Sequence, residues 1–133
     1  MVLQDPSRYS ILIADDEREW RDVLQEVFLK EGFRTEVAQN GEEALEILLQ
    51  RCVHLLLFDM HMGRLSGLDT FLIVRQRNVL VPCILLTADI SERLIRDALA
   101  VRVYKVLAKP VSRQVLVHAV AEALARTYGP GMP

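Results

Sequence analysis

The sequence predicts an α/β domain in which helices cover both faces of a parallel sheet, and three observations carry that expectation. Short aliphatic runs alternate with longer stretches whose apolar residues recur every three or four positions. Turn-forming residues punctuate the joins, and acidic, hydroxyl and amine side chains stand where the aliphatic runs end. Strands separated by amphipathic helices pair in parallel through right-handed crossovers. The compact solution is a doubly wound sheet inside a three-layer α/β/α sandwich.

Tyr9 to Ala14 is too brief for a globular helix and rich enough in branched residues for a buried strand. From about Glu17 to Glu31, the residues Trp20, Val23, Leu24, Val27 and Phe28 share one helical face, and Gly32 ends that helix. Thr35 to Ala38 is a weaker second strand; Asn40 caps the next helix, with Ala44, Leu45, Ile47 and Leu48 as its stripe. Val53 to Phe58 is the third and most apolar strand apart from His54, which is expected to satisfy its own hydrogen bonding near the strand's start rather than bind a metal.

Gly63 to Gly67 makes a turn, and Leu68, Phe71, Leu72 and the apolar stem of Arg75 mark a third helix. Val81 to Leu86 is the fourth strand, entered through Pro82 where a missing donor is tolerated. Ser91 caps a fourth helix that buries Leu94, Ile95, Ala98 and Leu99. Val101 to Leu107 supplies the fifth strand. Pro110 then interrupts the chain, Ser112 caps, and Val115, Leu116, Ala119, Val120, Ala123 and Leu124 form a last stripe small enough to pack close to the sheet.

With 133 residues and 51% apolar composition there is material for one real core, which excludes disorder throughout. The net charge of -2 lacks the basic excess of a nucleic-acid binder or a lipid-surface protein. Cys52 and Cys83 sit in apolar surroundings, match no disulfide scaffold or zinc pattern, and are expected to be buried thiols. No apolar run reaches transmembrane length and the first residues lack the layout of a signal peptide, so a cytoplasmic setting is expected, without membrane contact. The domain is expected to span residues 9–126, with 127–133 a flexible tail or the start of a truncated linker.

An open parallel sheet gathers polar residues at the carboxyl ends of its strands. Here the first strand ends at Asp15 and Asp16, the third at Asp59, the fourth at Thr87 and the fifth near Lys109. Three carboxylates brought together repel one another unless a cation is present. Oxygen ligation without His or Cys favours magnesium over zinc, with manganese as a substitute. One of the acidic pair can instead cap the first helix, but capping does not account for the carboxylate at the third strand's end. A carboxylate also attacks phosphorus; Asp59, directly after the central strand, is the favoured acceptor of an aspartyl phosphate. Lys109 can reach one phosphate oxygen and Thr87 can donate a hydrogen bond to another.

From Ile11 to about Ala125 the chain resembles the receiver domain of two-component response regulators. The resemblance is carried by ILIADDE, LLLFDMHMGRLSGLD, LLTAD and LAKP, in that order. It implies a flavodoxin-like fold with strand order 2-1-3-4-5 and phosphotransfer from a sensor histidine kinase or a histidine phosphotransfer protein. It further implies that Asp16 and Asp59 touch magnesium directly, that Asp15 acts largely through water, and that the backbone carbonyl of His61 completes the protein ligands. The His61 side chain and Asp89 look like a pair that tunes phosphate lifetime, and Lys109–Pro110 is expected to be a cis bond. Such a domain signals by changing its partner-binding surface; it assists its own phosphorylation and dephosphorylation and is not otherwise an enzyme. Its output is a downstream protein or a covalently linked domain, with a phosphorylation-dependent homodimer as a further outcome.

The sequence also departs from the family's pattern. Val106 occupies the place of the usual switch aromatic, and Tyr104, two residues earlier, lies on the same side as Val106 if the strand is regular. Gly63 stands where proline is usual after the acceptor, and Arg102 where glycine commonly precedes the last strand. These departures favour, as the alternative, a phosphorylation-independent interaction module. A metal-dependent phosphohydrolase would need a substrate-selecting cap, for which 133 residues leave little room.

Overall fold

A computed structural model describes residues 5–129. Five strands alternate with five helices: β1 (Ser10–Ala14), α1 (Arg18–Lys30), β2 (Arg34–Ala38), α2 (Gly41–Gln50), β3 (Leu55–Asp59), α3 (Gly67–Gln76), β4 (Cys83–Thr87), α4 (Glu92–Ala100), β5 (Lys105–Ala108) and α5 (Arg113–Tyr128). All pairings are parallel, as expected of a doubly wound sheet, and the strand order is β2-β1-β3-β4-β5, the order that the receiver resemblance implies.

Alternation along the strands divides the interior into two layers. Ile11, Ile13, Leu55, Leu57, Ile84 and Leu86 face α1 and α5. Leu12, Ala14, Leu56, Phe58, Cys83 and Leu85 face the opposite way and meet Ala44, Phe71, Val74 and Ala98 from α2, α3 and α4. β1, β3 and β4 are buried along their whole length, which is why their sequences read as continuous aliphatic runs. β2, at the sheet's edge, is the more exposed and the less apolar.

The expected helical stripes are wider than the contacts they make. Each helix lies flat on the sheet and buries positions four apart: Leu24 and Phe28 in α1, Leu94 and Ala98 in α4, Leu116 and Val120 in α5. Val23, Leu72, Leu99 and Val115 are one residue, and so about 100°, off the buried line, and are exposed. In α3 the buried position is Thr70 rather than Leu72, and its hydroxyl donates to the Ser66 carbonyl at 2.8 Å.

The fifth strand starts later than its apolar letters suggest. Arg102 N and Val103 N donate to Leu99 O and Ala98 O, closing the end of α4 with Arg102 in the left-handed region at φ 63°. That turn uses the backbone of residues 101–103, and β5 begins at Lys105. Tyr104 therefore precedes the strand, and its ring packs with the α1/α5 layer while Val106 packs with the other layer. The shared side expected of a regular strand is not realised.

Two further expectations need correction or refinement. Cys83 is fully buried and its thiol pKa is pushed far up by burial, but Cys52 is exposed in the connection before β3. α5 continues to Tyr128, so the first two residues of the expected tail are helical; residues 130–133 of that tail lie outside the described residues. His54 meets its expectation: its Nδ1 accepts from Ser10 N at 3.0 Å, and burial, followed by the charge of Arg34, lowers its pKa. The Tyr128 hydroxyl donates to the His54 carbonyl at 2.7 Å, and burial raises its pKa to about 12.

Candidate functional site

The parallel register brings the polar strand ends to one level. Ala14 pairs with Phe58, so Asp15 emerges beside Asp59; Thr87 pairs with Ala108, so Lys109 emerges beside Thr87. Carboxylate oxygens of Asp15, Asp16 and Asp59 all lie within 4.8 Å of one another. Asp15 and Asp59 are buried, whereas Asp16 is exposed. Such a set of oxygen donors can hold a divalent cation.

Asp15 divides its two oxygens between different tasks. Oδ1 accepts from Glu17 N at 2.9 Å and so shapes the entry to α1, the local role that a capping residue would have. Oδ2 is buried and accepts no hydrogen bond among the described residues, with Lys109 Nζ 3.6 Å away. Burial raises the pKa of Asp15; the Glu17 N–H counters it, repulsion from Asp59 and Asp16 adds to it, and Lys109 opposes. A buried carboxylate with an unused oxygen and two like charges beside it is a group that a cation would relieve.

Lys109 reaches inward from the end of β5, and its Nζ lies 2.5 Å from Asp59 Oδ1. Burial disfavours the ammonium, but the hydrogen bond to Asp59 and the charges of Asp15 and Asp59 outweigh it, so the pKa of Lys109 is raised. The peptide bond from Lys109 to Pro110 is cis. Asp59 Oδ2 accepts from His61 N at 3.2 Å, so both oxygens of the expected acceptor are engaged by donors.

Thr87 is fully buried at the tip of β4, and its Oγ1 accepts from Asp89 N at 3.1 Å. The exposed side chains of His61 and Asp89 approach across the rim, with Nε2 and Oδ2 3.8 Å apart. Tyr104 and Val106 do not join this group. The Tyr104 hydroxyl donates to Glu122 Oε1 on α5 at 2.6 Å, and burial, reinforced by that bond and by the charge of Glu122, lifts its pKa to about 12.

Three contributors escaped the sequence reading. Gly67 opens α3 directly against Asp59: a Cβ there would come within 2.5 Å of the Asp59 carbonyl oxygen, and Gly67 N donates to Met60 O at 2.9 Å. The GRLSG string marks a turn but not this approach. Arg21 Nη1 donates to the Asp15 carbonyl at 2.8 Å, tying α1 to the tip of β1. The Trp20 ring lies 5.8 Å from Lys109 Nζ. An arginine and a tryptophan on an amphipathic helix carry no mark of either contact.

Comparison with known proteins agrees with this arrangement. Residues 11–121 match the family model described as the response regulator receiver domain. The chain is 38% identical over 120 residues to the transcriptional regulatory protein CpxR of Escherichia coli (strain K12), covering 89% of this chain and 50% of that protein. It is 32% identical over 120 residues to the transcriptional regulatory protein YvrH of Bacillus subtilis (strain 168), covering 90% and 50%. The chain thus spans about half the length of these relatives. Among solved structures, the receiver domain of the Francisella response regulator 1452 aligns with a TM-score of 0.84 and 28% identity, covering 90% of this chain and 98% of that one. The CheY-like receiver domain protein from Methanospirillum hungatei JF-1 shares the fold, with a TM-score of 0.85 at 23% identity over 90% and 95% of the two chains. The β2-β1-β3-β4-β5 sheet with its acidic strand tips belongs to a response regulator receiver domain, and the chain is a member of that family.

Proposed function

We propose that this receiver domain accepts a phosphoryl group on Asp59 and passes the change to a partner-binding surface. The observation that carries the reading is the meeting of Lys109 Nζ with Asp59 Oδ1 at 2.5 Å beside two further carboxylates from a separate strand tip. An oxygen of Asp59 forms the new O–P bond as the N–P bond to a donor phosphohistidine breaks, and the imidazole leaves with the electron pair and takes up a proton. The His61 N–H holds the Asp59 carboxylate in place. Lys109 exchanges a carboxylate oxygen for a phosphoryl oxygen, and the Thr87 hydroxyl donates to another.

Asp16 and Asp59, with the backbone carbonyl of His61 and with Asp15 acting largely through water, are the residues that would hold magnesium or manganese. The unused, buried Oδ2 of Asp15 supports that fit. When bound, the ion offsets the negative charge that gathers between carboxylate and phosphoryl group.

Output follows from a hydrogen bond already present. Because Asp89 N donates to Thr87 Oγ1, a shift of Thr87 towards a phosphate draws the segment leading into α4 with it. His61 and Asp89, paired across the rim, control the approach of water and hence the lifetime of the phosphate. The donor is a sensor histidine kinase or a histidine phosphotransfer protein. The output is a separate protein or a covalently linked domain; relatives named transcriptional regulatory proteins, of whose length this chain matches half, favour the linked form. No described helix is long and apolar enough to cross a membrane, and a cytoplasmic setting is proposed.

Intact-mass measurement after exposure to a small phosphodonor with magnesium tests the reading. The parent should gain one base-labile phosphate and the Asp59→Asn variant none. A parent without the gain, or a variant with it, refutes the proposal. The second reading, an interaction module indifferent to phosphate, is favoured by Tyr104 facing away from Val106. Equal partner binding by parent and Asp59→Asn, with and without phosphodonor, would establish it.

A further inference from the structure

We infer that Trp20 is a positioning residue for Lys109, an inference that rests on the phosphoacceptor reading of Asp59. Lys109 Nζ lies 5.8 Å from the centre of the Trp20 ring, within the range where an aromatic face attracts an ammonium. The same nitrogen meets Asp59 Oδ1 at 2.5 Å and Asp15 Oδ2 at 3.6 Å. A lysine stem is flexible and its three donors rotate freely, so carboxylate contacts alone do not keep the ammonium in place when one carboxylate changes its bonding. The ring contact is of a different kind. It uses no donor hydrogen and is not altered when Asp59 becomes phosphorylated.

Core packing does not by itself account for an indole here. Trp20 is partly buried against the α1/α5 layer, and its Nε1 is buried with no acceptor among the described residues. A buried donor without a partner is costly, and a leucine or phenylalanine would fill apolar space without that cost. What tryptophan adds over an aliphatic side chain is a ring face, and its face is the strongest of the aromatic residues for a cation. The backbone of that ring is also anchored. Trp20 lies in the first turn of α1, and its neighbour Arg21 ties the turn to the Asp15 carbonyl at 2.8 Å. The segment that presents the acidic pair therefore also presents the ring, at a fixed distance from both.

Two readings together test this. Trp20 is the single tryptophan, and Lys109 is one of three lysines with Lys30 and Lys105, so indole emission reports this pair with Lys105 as an internal control. Emission of the Lys109→Met variant should differ from the parent, and emission of Lys105→Met should match it. The rate of phosphate uptake from a small phosphodonor, followed by intact mass, should fall roughly tenfold in Trp20→Leu and largely recover in Trp20→Phe, which keeps an aromatic face. Circular dichroism checks that each variant is folded, and Trp20→Met replaces Trp20→Leu should the latter not fold. Unchanged emission in Lys109→Met overturns the inference, as does a Trp20→Leu protein phosphorylated at the parent's rate. A parent that takes up no phosphate removes the proposed function and this inference together, whereas equal rates in parent and variant remove this inference alone.

Discussion

Lys109 Nζ and Asp59 Oδ1 are 2.5 Å apart, so the ammonium proposed to meet an incoming phosphoryl group is already paired with the carboxylate proposed to receive it. Replacing Lys109 by Gln removes the charge, shortens the side chain by one bond and leaves Asp59 facing Asp15 and Asp16 without a counter-charge. Phosphate uptake should fall by at least tenfold, and urea unfolding should show a loss of about 1–3 kcal/mol. The pH dependence has a definite sign. Since the folded pKa of Lys109 is raised, its contribution is complete below the ordinary lysine value and is lost as pH climbs through the raised one. Unfolding free energies of parent and Lys109→Gln should therefore converge at strongly alkaline pH.

Asp15 predicts a loss of stability with rising pH as well, but in the carboxylate range, and the opposite effect of neutralising the side chain. Its folded carboxyl holds a proton more tightly than an unfolded one, chiefly because it is buried, so raising the pH above the ordinary carboxylate range costs the metal-free fold stability. Asp15→Asn keeps an oxygen for the Glu17 N–H and removes the buried charge. In chelator, at neutral pH, the variant should be more stable than the parent by about 1 kcal/mol. Chemical denaturation with and without magnesium checks this, and added magnesium should stabilise the parent more than the variant.

At Gly67 the constraint is steric. A methyl group there meets the backbone carbonyl of Asp59 at 2.5 Å and the Leu85 side chain at 3.0 Å. Gly67→Ala should cost on the order of 2 kcal/mol, because backbone rather than a flexible side chain must yield. It should also slow phosphorylation, since the part that yields carries the proposed acceptor. A thermal melt together with the uptake rate measures both effects.

Thr87 separates acceptance from output. Thr87→Ala removes the acceptor of the Asp89 N–H and should cost about 1 kcal/mol. Phosphate should still add to Asp59, but the change in amide exchange over residues 88–92 that accompanies phosphorylation of the parent should be much reduced. Exchange mass spectrometry on both proteins, with and without a phosphate mimic, reads that difference.

Elements set by local chemistry were legible in the amino-acid sequence. Asn40, Ser91 and Ser112 each accept the N–H three residues on, as expected of caps. Asp15, Asp16, Asp59, Thr87 and Lys109 converge because strand ends in a parallel sheet share one level, a property of topology that the alternation already implied. Features set by tertiary contact were not legible. The rotation of α4 that buries Leu94 and Ala98 but exposes Leu99 depends on where the sheet lies. Tyr104 turns towards Glu122 because the closing turn of α4 takes up residues 101–103, and their apolar letters read equally well as strand. Cys52 directly precedes the apolar run of the third strand, yet it falls in the connection before that strand and is exposed. The ring of Trp20 and the guanidinium of Arg21 reach partners that no spacing rule links to them.

The bond from the Tyr128 hydroxyl to the His54 carbonyl fastens the last turn of α5 to the amino end of β3, whereas Asp59 stands at that strand's other end. Five residues of extended chain, roughly 17 Å, separate them. The proposed acceptor and the carboxyl end of α5 thus occupy opposite rims of the domain. An output domain tethered beyond α5, as proposed, would learn of phosphorylation at the far rim only through the body of the protein, and its response would depend on how stiffly the intervening layers move as one.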